Sequence, residues 1–204
     1  MTRHARLLSL VALAGFLCSS APAAVVVTVS EQNGDTTFSA EGTLNLSGLT
    51  SSGGFTSSTA SIDPLSSSFT LGRDVGDFLL VDSFSGLTDS PSSFGSGGTN
   101  APTSGVGDRF GLFRFQGEDF LLVPDGFTGG SINSSSTFIG QDLTSLGIAP
   151  GTYEWAWGSG ADADSITLNV VAIPEPSSIL LLSLAGTAIV LRRARTGRNR
   201  RAFG

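Results

Sequence analysis

Thr36–Leu46 reads TTFSAEGTLNL, and its alternation decides the fold class. Phe38, Ala40, Leu44 and Leu46 share one face of an extended chain, with small and polar residues on the other. Successive side chains of a strand point to opposite faces, so this is the pattern of a half-buried strand. Just upstream, Asn33-Gly34-Asp35 suits a tight hairpin turn, and Val25–Val29 supplies the preceding strand. Similar segments recur downstream, each bounded by Gly, Ser, Asn, Asp or Pro. Ser67–Leu71 and Phe78–Phe84 come next. Arg109–Gln116 and Asp119–Val123 form a second hairpin, with Gly117-Glu118 at its turn. Ser136–Ile139 is a weaker strand, Tyr153–Trp157 alternates clearly, and Ser165–Val171 closes the series. Ser90–Ser104 (SPSSFGSGGTNAPTS) reads as a flexible loop, and Gln141–Leu146 as a brief helical turn.

Many short strands with turn-rich links predict an all-β ectodomain. The expected form is an antiparallel β-sandwich, jelly-roll-like, of about eight to ten strands. A parallel β-helix is the alternative, but it needs a fixed repeat and the chain shows none.

Composition narrows the chemistry. Between Ala24 and Ile173 there is no cysteine, histidine or lysine, and three arginines face sixteen carboxylates, a net charge of −13. No disulfide, Cys-His pair or Ser-His-Asp triad can be assembled there. Zinc sites of the Cys/His type are excluded, and nucleic acid is a disfavoured partner for want of clustered cations. No cofactor is expected. The region still holds enough Phe, Leu, Val and Ile to bury one core.

Both ends have a different character. Residues 1–23 read as a secretory signal peptide: Arg3 and Arg6, then the apolar stretch Leu7–Leu17, then Ala21-Pro22-Ala23. Small residues at Ala21 and Ala23 place cleavage after Ala23, with Ala24 as runner-up. Phe16-Leu17 before Cys18 argues against lipidation. Signal peptidase and the secretion machinery are therefore expected partners. At the other end, Pro174-Glu175-Pro176 precedes the apolar run Ser177–Leu191. Six arginines follow, beginning with the membrane stop Arg192, Arg193 and Arg195. A helix over the 15 residues 177–191 spans roughly 22 Å, short for a hydrocarbon core of about 30 Å. Bilayer thinning and arginine snorkelling close the gap, and the arginines hold the C-terminus in the cytoplasm. The segment thus reads as a single C-terminal transmembrane helix.

Pro174, Glu175 and Pro176, the helix and the arginines together resemble the PEP-CTERM sorting signal of Gram-negative envelope proteins. The resemblance covers residues 174–204 and implies an exosortase as partner. This enzyme resembles a membrane-embedded cysteine protease or transpeptidase, and it would cut near Pro174–Pro176 and discard the tail. Phe120–Phe127, Ser145–Trp157 and Gly158–Leu168 also resemble an ectodomain type that recurs in PEP-CTERM proteins, over roughly Arg109–Val171. That type implies a fold and an envelope role. The expected organisation is signal peptide 1–23, β-sandwich 24–173 and sorting signal 174–204.

Candidate sites within the sandwich are few. Tyr153, Trp155 and Trp157 form a period-two stripe that either stacks on a sugar or fills the core, and core is preferred. Asp162 and Asp164 are a weak calcium candidate, because Asp-x-Asp supplies too few oxygens and Ile166 follows. Glu118, Asp119 and Asp125 offer carboxylates for glycoside hydrolysis, as any acidic chain does. Arg109 and Arg114 are expected to pair with carboxylates. Asn45-Leu46-Ser47 and Asn133-Ser134-Ser135 match the N-glycosylation pattern, which means little if the source is bacterial, as the resemblance of the tail implies. The expected function is non-enzymatic: an exported cell-surface or matrix protein, with exopolysaccharide as a candidate partner. A carbohydrate- or ice-binding module is the first alternative and a carboxylate-based glycan hydrolase the second.

Overall fold

A computed structural model describes residues 24–57 and 59–171. Ala21, Ala23, Pro174, Glu175, Pro176, Arg192, Arg193, Arg195 and the expected membrane helix lie outside these residues. Among the described residues no helix is long and apolar enough to cross a membrane.

The described chain is all-β, with two sheets. One sheet holds β1 (Ala24–Gln32), β2 (Asp35–Leu44), β7 (Leu87–Asp89), β8 (Ser104–Gly107), β11 (Gly130–Phe138), β12 (Gly151–Trp157) and β13 (Asp164–Val171). Its strand order is β7-β12-β13-β1-β2-β11-β8. The second holds β3 (Thr50–Ser57), β4 (Ser61–Asp63), β5 (Ser68–Leu71), β6 (Leu79–Ser85), β9 (Phe110–Phe115) and β10 (Glu118–Pro124), in the order β3-β6-β10-β9-β5-β4.

Alternation builds the core. Val25, Val27 and Val29 of β1, Phe38 and Ala40 of β2, and Ile166 and Leu168 of β13 are all buried. They meet Phe69, Leu71, Phe110, Leu112 and Leu121 from the second sheet in one apolar cluster. At about 25 cal/mol per Å² of apolar surface removed from water, such a cluster supplies the main drive to fold.

Turn chemistry sets the register. Asn33 and Gly34 take φ of 56° and 82°, so the β1–β2 hairpin closes on two left-handed residues, with Gln32 facing Asp35. The β9–β10 turn does the same with Gln116 (φ 53°) and Gly117 (φ 88°). It therefore sits one residue earlier than expected, and Glu118 pairs with Phe115 inside the ladder.

Three other features differ from expectation. There are more strands, because the polar segments forming β3 and β8 lack an apolar period. The sandwich is not wholly antiparallel as a jelly-roll-like plan would be, since β1 and β13 pair in parallel from Ala24↔Ser165 to Ser30↔Val171. The first and last strands are not joined by a tight turn, so no connection constrains their direction. Finally, the segment read as a flexible loop, Ser90–Ser104, is held along its length. Phe94 is fully buried, Asn100 bridges Ile62, and the Thr103 N–H donates to the Thr137 carbonyl at 2.8 Å. It is a strap across the sandwich.

Candidate functional site

A broad cleft lies where this strap meets the 140–149 segment. The Phe94 ring anchors the strap in the core and packs edge-on to Tyr153, with centroids 6.1 Å apart. Beside it, the Ser96 and Gly97 N–H groups both donate to the Gly147 carbonyl, at 2.8 and 3.1 Å, and the Ala149 N–H donates to the Phe94 carbonyl at 3.0 Å. This approach requires glycine: a Cβ on Gly95 would fall 2.0 Å from the Gly147 carbonyl oxygen. The 140–149 segment is braced from within. The Asp142 carboxylate accepts the Ser145 N–H at 2.6 Å, and that bond holds its pKa below the usual carboxylate value. The single turn expected at Gln141–Leu146 is there, with the Leu146 N–H donating to the Asp142 carbonyl.

Between the two segments is an open cleft of about 560 Å³ lined by Ser93, Ser96, Thr144, Ile148 and Tyr153. It presents hydroxyls and part of one aromatic ring, and no charged side chain. Tyr153 is half-buried, and its hydroxyl donates to the Ala149 carbonyl at 3.0 Å.

The other members of the aromatic stripe are placed differently. Trp155 and Trp157 are 0% and 1% exposed, which is the core reading. Neither indole has a face open to a sugar. Trp155 packs edge-on to Phe69, and the Trp157 indole N–H donates to the Asn45 carbonyl at 2.9 Å. β12 lies second from the edge of its sheet, and its inward positions fall over the second sheet.

The Asp162–Asp164 pair is split. Asp162 sits exposed on a 3-10 turn (Gly160–Asp162), while Asp164 is buried and accepts the N–H groups of Asn45 at 2.6 Å and Ser165 at 2.7 Å. Burial pushes the Asp164 carboxyl above its ordinary value, against the lowering effect of those two bonds. Among the described residues no group of three or more acidic, histidine or cysteine side chains could hold a metal ion.

Of the three carboxylates considered for hydrolysis, Glu118 and Asp119 line one cleft of about 400 Å³ with Ser85, Leu87 and Ser90, whereas Asp125 follows the far end of β10. Both Asp119 oxygens are occupied: Arg114 Nε reaches one at 2.9 Å and Nη2 the other at 2.7 Å. Arg114 also donates to the carbonyls of Pro91 and Ser92, both at 3.1 Å, so the ion pair fastens the start of the strap. Arg109 departs from the expected carboxylate pairing. It is 3% exposed and donates instead to the Arg73 and Asp74 carbonyls, at 2.7 and 2.9 Å. Burial lowers its pKa, and nearby Asp74 opposes that shift.

Asn45 was noted only as a glycosylation sequon, yet it is a hub. Its N–H, carbonyl and side chain reach Asp164, Trp157, Ala161 and Ser47. Nothing in its sequence context announces this, since Asp164, Trp157 and Ala161 all lie more than a hundred residues away. Arg114 had a usable signal: a cation among so many carboxylates needs a partner.

No protein-family model, curated protein or solved structure matches the chain.

Proposed function

We propose that the chain is an exported, non-enzymatic cell-surface or matrix protein, associated with exopolysaccharide. It is delivered by its signal peptide, held in the membrane by the helix over 177–191, and released by exosortase processing near Pro174-Glu175-Pro176. The observation that carries this is where the β fold lies. β1 begins at Ala24, next to the expected signal-peptide cut, and β13 ends at Val171, two residues short of Ile173 and the end of the expected ectodomain. Every strand pairing among the described residues lies between Ala24 and Val171, so the described sandwich draws on neither processing segment. Arg114 occupies both oxygens of Asp119, which supports a binding or structural role over hydrolysis.

The test replaces Pro174, Glu175 and Pro176 with alanine in the native host. An unprocessed, membrane-bound form accumulates on an immunoblot. Processing at the wild-type rate rejects the sorting role.

A further inference from the structure

The outward face of the seven-stranded sheet carries a pattern that no single strand shows. Its ladder registers align Thr152, Asn169, Thr28, Ser39 and Ser135 in one row across five adjacent strands. The next row aligns Ser30, Thr37 and Thr137. Neighbouring rows continue with Thr167 and Asn133. These side chains are exposed or half-buried, so among the described residues no other layer covers them. Thr37 and Thr137 hydroxyls meet at 3.1 Å, and the Thr152 hydroxyl donates to the Asn169 side-chain oxygen at 3.0 Å. Thr28, Ser39 and Ser135 hydroxyls bond to no protein atom among the described residues.

Charge is sparse on this face and all of one sign. Its ionised side chains are Glu41 and Glu154, facing Val26 and Thr167, with Asp35 beside the β1–β2 turn and Asp89 on the edge strand β7. The rest of an ectodomain with a net charge of −13 keeps its carboxylates elsewhere. A solvent-facing sheet ordinarily carries charge of both signs to stay soluble and unpaired. An array of hydroxyls and amides provides donors and acceptors along these rows instead, interrupted by exposed Val26, Val106 and Val171.

We infer that this face is a docking surface for a neutral, extended polysaccharide. A protein partner would need aromatic or arginine anchors, and the face has none. Nucleic acid and anionic polymers are repelled by the acidic domain and meet no cation here. A cationic polymer would settle where most of the sixteen carboxylates lie, away from these hydroxyl rows. Ice is a rigid plane, whereas neighbouring strands are rotated by about 20–25° and seven of them make a twisted surface. A flexible uncharged chain can follow that twist, and many weak hydroxyl contacts along it sum to useful avidity. The inference rests on the exopolysaccharide-associated reading above and names the polymer class and the surface. The two fail separately, because the immunoblot reads processing of the tail and the assay below reads this face.

The experiment incubates the intact protein with suspended cellulose, curdlan or cross-linked dextran, and measures depletion from solution. Alginate beads and ice partitioning run alongside. The expected result is retention on at least one neutral matrix, unchanged by added salt. Thr28→Glu with Ser135→Glu should weaken it about tenfold or more. Phe78→Glu, exposed just before β6 of the other sheet, should leave it unchanged. If circular dichroism shows that the double variant does not fold, Ser135→Glu alone serves. Retention on no neutral matrix, on alginate alone, or on ice alone overturns the inference. So does an equal loss in Phe78→Glu.

Discussion

The main-chain N–H of Asn45 reaches the carboxylate of Asp164 at 2.6 Å across 119 residues of sequence. The contact locks the end of β2 onto the start of β13, and the Trp157 indole closes the same knot from the neighbouring strand. Removing the acceptor leaves two donors, the Asn45 and Ser165 N–H groups, short of a partner. Asp164→Ala should therefore cost about 1–3 kcal/mol for each donor that stays buried. Urea unfolding at neutral pH measures the loss.

The same carboxyl gives a pH dependence whose sign is fixed. Burial raises its folded pKa above the unfolded value. The stability it contributes is then fully present below the unfolded value, about pH 4, and declines as pH rises through the folded pKa. Asp164→Asn cannot ionise. The stability advantage of wild type over this variant should shrink between acid and neutral pH, as read from urea midpoints.

Asp142 titrates in the opposite sense. Its folded pKa is depressed by the Ser145 N–H. Its contribution is present above the unfolded value and is lost as pH falls through the folded one. Amide exchange at Ser145 should quicken in acid, beyond the intrinsic rate, and Asp142→Ala should show that quickening already at neutral pH.

Arg114 is the fastener of the strap. Arg114→Ala leaves Asp119, whose side chain is 7% exposed, without its partner. Such a loss costs about 3–5 kcal/mol when the remaining charge stays buried. Hydrogen exchange should rise across Ser90–Ser96, and limited proteolysis should cut there first. Arg114→Lys should restore little, because an ammonium cannot reproduce the forked contact.

Gly95 tests the rigidity of the cleft. In Gly95→Ala the new Cβ meets the Gly147 carbonyl, so the strap or the 140–149 segment has to shift. The thermal midpoint should fall and the Ala149 amide should lose exchange protection. Gly98→Ala, three residues along and with open space around it, should do neither.

Much of the fold was legible because period-two burial writes itself into local sequence. Val25–Val29, Thr36–Leu46 and Tyr153–Trp157 show it plainly, and the structure buries the expected faces. β3 was not legible, since TSSGGFTS alternates nothing and forms a strand only by pairing with β6. The strap misled because Phe94 is a lone apolar residue among serines and glycines, and one buried ring was enough to hold it. The candidate site was harder still. Thr-x-Thr repeats along the chain are absent, but hydroxyls align when five strands are laid side by side. Register across a sheet is a tertiary property, so no window of sequence displays it.

The parallel pairing of β1 with β13 has a mechanical corollary. Ala24 and Val171 leave the pair at opposite ends. A pull between them along the strand axis loads every rung of that ladder in shear, rather than peeling rungs one at a time. Because β13 lies inside its sheet, tension entering at Val171 spreads sideways into β12 as well as β1. A domain tethered at one end and gripped across its broad face would resist being torn open by flow.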